Sequence, residues 1–297
     1  MDKLIHGIAA GGSIRFMAAI TTDITTEAVR RHQTSPTVSA AMGRVLTGTL
    51  LLGASLKEYD RLTVKIEADG AVGGIIAEAT VDGRVRGYVK NPDVELPPKA
   101  NGKFDVSGII GGGMFYVIRE SGFELGLHRE PYVGSVPITS GEIAEDFAYY
   151  LGKSEQIPSA VLLGVLLQPE EPLVRASGGV MIQILPGANE HLVTMIEDTI
   201  GHAPHLTSII SEGATAEDLV KLALGEIDFE VLEEKEIGFA CNCSFERAVS
   251  LIASLGRAEV SSMLREDQGA QMTCGFCNEV YTLDEKDLQQ ILESENA

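Results

Sequence analysis

The chain has no tryptophan, and aromatic residues make up only 5% of its 297 positions. An interior with so few large rings must be filled mostly by Ile, Leu, Val and Ala, and a hydrophobic fraction of 44% is enough to do so. Cations are scarce as well: 23 Lys and Arg stand against 43 Asp and Glu, a formal net charge of −20. That deficit excludes a binder of duplex nucleic acid, which replaces phosphate counterions with basic side chains. The shortage is uneven. Residues 1–187 hold 21 acids and 17 bases, whereas residues 188–297 hold 22 acids and 6 bases. Solubility is one use of such charge, and a self-repelling, loosely held segment is another. Long apolar runs are also missing. "MDKLIHGIAAGGSIRF" has no apolar stretch behind a basic head. The best membrane candidate, "VLTGTLLLGASL" at 45–56, is too short to span a bilayer and is flanked by Arg44 and Lys57. The expectation is a soluble, cytoplasmic protein with neither a membrane nor a nucleic acid as partner. Cysteine is the last scarcity, with four residues, all after position 240. In that compartment they point to metal ligands or redox thiols rather than structural disulfides.

Ordered structure is easy to find in what remains. "RFMAAITTDIT", residues 15–25, alternates loosely and reads as a strand. Ser35 before Pro36 predicts a helix N-terminus, followed by a long, nearly apolar helix to about Leu56 whose small residues suit close packing. "RLTVKIEA" alternates cleanly, with Leu62, Val64, Ile66 and Ala68 on one side. "AVGGIIAEAT", "GRVRGYVKNP", "GMFYVIRE", "FELGL" and "YVGSVPI" add further strands. The glycines at 73–74 and 111–113 match neither a phosphate-binding loop nor a dinucleotide fingerprint, and read as turns or bulges. "SGEIAEDFAYYLGK" predicts a helix capped by Ser140, with Ile143, Phe147 and Tyr150 on one face. "SAVLLGVLLQ" and "LVRASGGVMIQILP" read as a hairpin turning at Ser177-Gly178-Gly179.

The fold class is therefore α+β: an antiparallel-sheet core domain with packed helices over 1–186, a helical linker over 187–232, and a small C-terminal four-cysteine domain over 233–297. The linker has three short helical segments, the last opened by Thr215 with Asp218 in a capping arrangement. Residues 188–240 contain 12 acids and only Lys221 and Lys235 as bases, so these helices carry little stability without packing.

Cys241 and Cys243 are two apart, so on an extended segment both side chains point the same way. Cys274 and Cys277 flank a short stretch with Gly275, a knuckle spacing that brings two thiolates together. No histidine follows His205, which leaves ligation by four cysteines, with tetrahedral zinc preferred. A dithiol redox centre remains the competing reading. A metal would supply much of the folding free energy of so small a unit, and each cysteine pair is also a dithiol that oxidation can close. The spacing thus allows a switch without requiring one.

The stretches "CNCSFER…SLGRAEVSSMLRED…CGFCNEVY", "TTDITTEAVRRHQTSPTVSAAMGRVLTG", "LKEYDRLTVKIEADGAVGGIIAEA", "GYVKNP" and "SGGVMIQILPGA" resemble the bacterial redox-regulated holdase chaperones, the thirty-three-kilodalton heat-shock protein family. The resemblance runs along nearly the whole chain. It implies a protein that is not an enzyme. The reduced form would be inactive, with one zinc on Cys241, Cys243, Cys274 and Cys277. Oxidants such as peroxide or hypochlorite, often with heat, would form the disulfides Cys241–Cys243 and Cys274–Cys277, release the zinc and unfold the terminal domain and linker. Unfolding client proteins would then be held without ATP and passed to ATP-dependent chaperones, by a homodimer when active. Glu246 and Arg247 fall in the matching "CSxER" motif and read as helix-start or supporting residues. Ala240 stands where many relatives have a basic residue, a change that bears on thiolate reactivity. Leu192, Val193, Ile196 and Ile200, with Leu219, Leu222 and Leu224, form linker faces that would pack on the core and become client surface on activation. The alternatives are a zinc-ribbon binding protein, which predicts a basic face, and a dithiol-disulfide oxidoreductase, which predicts one reactive CxxC without metal.

Overall fold

The computed structural model describes residues 2–56, 60–121 and 130–294. The chain opens with the hairpin β1 (Lys3–Ala9) and β2 (Ile14–Ile20), then helices α1 (Thr22–His32) and α2 (Pro36–Gly53). Strands β3 (Arg61–Ala68), β4 (Ile75–Thr80) and β5 (Arg84–Val89) follow, then the short α3 (Val106–Ile110). Next come β6 (Gly113–Glu120), β7 (Tyr132–Pro137), α4 (Ala144–Lys153), β8 (Ser159–Leu167) and β9 (Val174–Ile184). Three helices, α5 (Glu190–His202), α6 (Leu206–Ser211) and α7 (Ala216–Leu224), precede β10 (Phe229–Glu236) and β11 (Gly238–Phe239). The chain divides into two compact units, one up to Ala240 and one from Cys241. The second contains α8 (Phe245–Ala253), α9 (Arg257–Glu266), the hairpin β12 (Ala270–Thr273) and β13 (Val280–Leu283), and α10 (Glu285–Ser294). Among the described residues no helix is long and apolar enough to cross a membrane.

Two sheets build the first unit. One has the order β10-β1-β2-β9-β8, the other β11-β5-β4-β3-β6-β7. All their pairings are antiparallel except that of β11 with β5. The α+β architecture expected from the sequence is the one observed. Helix α2 touches strands of both sheets, β3, β4 and β5 in one and β2, β8 and β9 in the other. Every residue of α2 except Pro36 and Arg44 is buried. Its start is as expected, with Ser35 Oγ accepting from Val38 N at 3.4 Å and proline at the first helical position. Its small residues serve close approach. A Cβ on Gly48 would lie 2.4 Å from the Phe147 ring, and one on Gly43 would lie 2.6 Å from Thr25 Cγ2.

The helices α5 to α7 cover the five-stranded sheet. Ile196, Leu206, Ile210, Leu219, Val220 and Leu224 are buried with Ile5, Ile14, Phe16, Val180 and Ile182. Leu192, Val193, Ile200 and Leu222 are partly exposed. Thr215 and Asp218 cap α7 reciprocally: Thr215 N donates to Asp218 Oδ2 at 2.9 Å and Asp218 N to Thr215 Oγ1 at 3.3 Å.

Four sequence expectations are corrected. The strand read over 15–25 ends at Ile20, and Thr22–His32 is a helix. Its cap is not local: the Asp2 carboxylate, 3% exposed, accepts from Asp23 N at 3.1 Å and Ile24 N at 2.8 Å. The helix read from Ser140 begins at Ala144. The Asp146 carboxylate folds back to accept from the amides of Thr139 (2.8 Å), Ser140 (3.0 Å) and Ile143 (3.1 Å), holding these residues out of the helix. The hairpin of β8 and β9 exists, but Ser177-Gly178-Gly179 lies inside β9, opposite Val165, Gly164 and Leu163. A Cβ on Gly179 would meet Leu163 Cδ2 at 2.6 Å and Leu162 O at 2.8 Å, so this glycine serves close packing and not a turn. The boundary drawn at 233 falls inside a strand, since β10 pairs with β1 from Lys3↔Glu236 to Ala9↔Phe229. The chain leaves the first unit only after Ala240, whose N–H donates to Val85 O at 3.0 Å. The strand read in "FELGL" lies outside the described residues.

Two predictions follow from this packing. Gly179→Ala should destabilise the first unit by about 1–3 kcal/mol through overpacking, read as a lower urea midpoint with an unchanged slope. Burial pushes the Asp2 carboxyl up from 3.8 to about 6, against the opposing pull of the Ile24 and Asp23 amides. Between those values the folded state keeps a proton that the unfolded state has lost, so stability falls as pH rises from about 4 to 6. The full contribution is on the order of 3 kcal/mol. Asp2→Asn, which retains the capping oxygen, should remove that slope and raise stability at pH 7 in denaturation curves taken across this range.

Candidate metal and redox centre

The four cysteines converge. Each sulfur lies within 4.8 Å of the other three. Cys241 Sγ is 3.7 Å from Cys274 Sγ, and Cys243 Sγ is 3.4 Å from Cys277 Sγ. Two local structures place them. Cys241 and Cys243 sit in the irregular segment just before α8, whose N-cap Ser244 accepts from Arg247 N at 3.3 Å. The Arg247 guanidinium donates to Asn242 O at 2.6 Å, tying the backbone between the two cysteines to the helix that follows. Glu246 lies in the first turn of α8, where its charge suits the helix dipole. Cys274 and Cys277 lie in the connection of the β12–β13 hairpin. Asn278 N donates to Cys274 O at 2.8 Å and Cys274 N to Glu279 O at 2.8 Å, with Asn278 in the left-handed region at φ 56°. This tight knuckle turns both sulfurs inward.

Tyr281 is the residue that sequence reasoning missed. Its hydroxyl donates to Cys243 Sγ at 3.1 Å. The signal lay in the hairpin register, which sets Tyr281 opposite Met272 on the strand leaving the knuckle. Hydrogen bonding to the Cys243 sulfur raises the Tyr281 hydroxyl well above its ordinary range, so it remains a donor.

The electrostatics are those of a site that needs a cation. Cys277 is 2% exposed, and burial pushes its thiol far up. Burial also raises Cys243, partly offset by the Tyr281 hydrogen bond. Without positive charge these thiols stay protonated at neutral pH, and protonated thiols are poor ligands and poor nucleophiles. The donor set suits a tetrahedral ion. A metal–sulfur distance of about 2.3 Å places tetrahedral sulfurs about 3.8 Å apart, close to the spacings found. The arrangement can hold a metal ion. Because all four sulfurs are mutual neighbours, proximity does not select which pairs would join on oxidation.

The Hsp33 protein family model matches residues 2–284. The chain belongs to the Hsp33 family. It is 43% identical over 291 residues to the 33 kDa chaperonin of Desulforamulus reducens, covering 98% of this chain and 97% of that protein. It is 44% identical over 295 residues to the 33 kDa chaperonin of Listeria innocua, with 98% of each chain covered. The crystal structure of the 33 kDa chaperonin, an Hsp33 homologue, from Thermotoga maritima superposes with a TM-score of 0.89 at 36% identity, covering 99% of this chain and 98% of that one. As an Hsp33 protein the chain is a chaperone and not an enzyme.

For this Hsp33 chain, Tyr281→Phe should leave the fold intact and loosen the centre. A residue that hydrogen-bonds a metal ligand typically accounts for 10–100-fold in metal affinity, so a metal ion held by this group, probed with added zinc in chelator competition, should bind about tenfold more weakly.

Proposed function

We propose that this protein is a redox-regulated holdase whose four-cysteine centre binds one zinc per reduced chain and holds the protein inactive. The observation that carries the reading is the convergence of four sulfurs within 4.8 Å in a unit with a very small core of its own. Its apolar centre consists of Ala248, Ile252, Val260, Leu283, Leu288 and Ile291. A domain of this size is marginal on burial alone, whereas structural zinc contributes about 10–16 kcal/mol of apparent binding free energy. When bound, zinc would supply the positive charge that lets Cys241, Cys243, Cys274 and Cys277 remain thiolates side by side.

Oxidation removes those ligands. Each thiolate pair gives two electrons to one peroxide, which takes two protons from solvent and becomes two waters, and the pair becomes a disulfide. The pairs that the family resemblance implies are Cys241–Cys243 and Cys274–Cys277. Sulfurs locked in disulfides are no longer thiolate ligands, and the small unit loses its main support. The acidic helices α5–α7 would then be released and their apolar faces offered to unfolding client proteins. No ATP is needed, since holding a client is a binding event. The active form would be a homodimer in the cytoplasm, handing clients to ATP-dependent chaperones once reducing conditions return.

The test is direct. Protein purified under reducing conditions should carry one zinc and four free thiols per chain. Peroxide at raised temperature should release the zinc, form the two named disulfides by peptide mapping, and yield a product that suppresses light scattering from a heat-denatured client. Equal protection before and after oxidation would overturn the switch and leave the chaperone. Absence of zinc would overturn the metal assignment.

A further inference from the structure

The six-stranded sheet sends one face into the core around α2, where Leu62, Val64, Ile66, Ala77, Phe115 and Val117 are buried. The alternate residues of the same strands form the opposite face. Register lays Tyr88, Ile76, Lys65, Tyr116 and Ser135 side by side in one row. Arg86, Glu78, Thr63, Ile118 and Val133 make the next row. An antiparallel sheet with one solvated face usually turns polar residues outward. Here Ile76, Tyr88, Met114, Tyr116, Ile118 and Val133 point outward, and among the described residues none of the six belongs to an apolar core. Val133 is 53% exposed and the other five are partly exposed.

The charges of this face are largely paired within it. Arg86 and Arg61 bond Glu78 at 2.8 and 3.4 Å, Arg61 also bonds Glu120 at 2.9 Å, and Lys65 pairs with Glu67. With Arg84 the face carries four cations and three carboxylates, on a chain whose formal charge is −20. The central pairs are already mostly desolvated, with the side chains of Glu78, Arg86 and Arg61 only 10%, 15% and 17% exposed. Covering them adds little to a desolvation cost that folding has met.

The occupant follows from what the face does not contain. It includes no residue of α5–α7 or of the second unit, so their release leaves it unchanged. A client site here would stand open in the reduced form, which the holdase reading holds inactive. A second copy of the chain meets no such conflict. Two molecules of so acidic a protein repel each other, and a nearly neutral, partly apolar face is where that repulsion is least. Strands β5, β4, β3, β6 and β7 have six to eight residues each. Their outer face measures about 24 Å by 24 Å, so two copies bury on the order of 1,200 Å², the lower bound for a specific interface. We infer that this face docks a second copy of the chain, sheet against sheet, in a reversible homodimer that forms whatever the state of the cysteine centre. The inference gives the homodimer of the proposed function its interface, and its exclusion of a client rests on that reading.

Sedimentation velocity of the full reduced chain should show a monomer–dimer equilibrium between about 1 and 100 μM. Raising salt from about 50 to 500 mM should tighten the dimer by screening the net repulsion. Hydroxyl-radical labelling of Tyr88, Met114 and Tyr116 should fall as the dimer forms. Ile118→Lys should weaken dimerisation at least tenfold, whereas Leu251→Lys, at an exposed leucine of the second unit, should leave it unchanged. Labelling of the unaltered chain decides the matter if Ile118→Lys fails to fold. A reduced chain that stays monomeric, a dimer that appears only after peroxide, a dimer weakened by salt, or labelling that does not change at the three residues overturns the inference. Aggregation of a heat-denatured client is followed in the same samples. A dimer with the expected labelling that gives no protection after peroxide removes the holdase and keeps the contact, whereas protection by a protein that remains monomeric removes the contact and keeps the holdase.

Discussion

Helix α2 has no solvent face to spare, and the first unit is arranged around that constraint. Two sheets close on a single helix, so each must come near its backbone, and only small side chains permit that. Gly43 lets Thr25 and Val165 approach, and Gly48 receives the edge of Phe147. The same economy explains why a chain without tryptophan can fill its interior. The inner space is a set of narrow gaps between close backbones, suited to Ala, Val, Leu and Ile. Polar groups within it are paired with one another: Thr21, Thr25, Thr47 and Ser177 are all buried and share hydroxyl hydrogen bonds of 2.7–3.0 Å.

The second unit solves the opposite problem. It has too little apolar surface to close on itself, and it gathers four sulfurs where a larger domain would gather side-chain volume. Burial makes two of those thiols, Cys243 and Cys277, reluctant to ionise, which protects them from casual oxidation and makes them depend on a cation for their ligand form. Tyr281 and Arg247 show how much of the site lies outside the cysteines. One donates to a sulfur, and the other pins the carbonyl between Cys241 and Cys243.

Much of this was legible in the sequence. The strand at 61–68, the α2 start at Ser35, the three acidic helices and the convergence of the cysteines all follow from periodicity, capping and spacing. The misses share one cause: the deciding partner lies far along the chain. Helix α1 is capped by Asp2, about twenty positions away, which no local pattern announces. Gly178 and Gly179 look like a turn until β2 and β8 are placed against them. "FEVLEEKE" looks too acidic for a core sheet, yet Phe229 and Val231 are the side chains packed inward, and its charges suit an edge. Tyr281 gains meaning only when the hairpin register brings it to Cys243.

The pairing of β10 with β1 also makes the helical segment a closed loop. Residues 185–228 leave the five-stranded sheet at β9 and return to the same sheet at β10. Helices α5–α7 can therefore melt while both ends stay anchored, gaining the entropy of a tethered loop rather than of a free tail. A loop held in this way samples a bounded volume above its own sheet, keeps its apolar residues concentrated there, and has only a short distance to travel when it folds back.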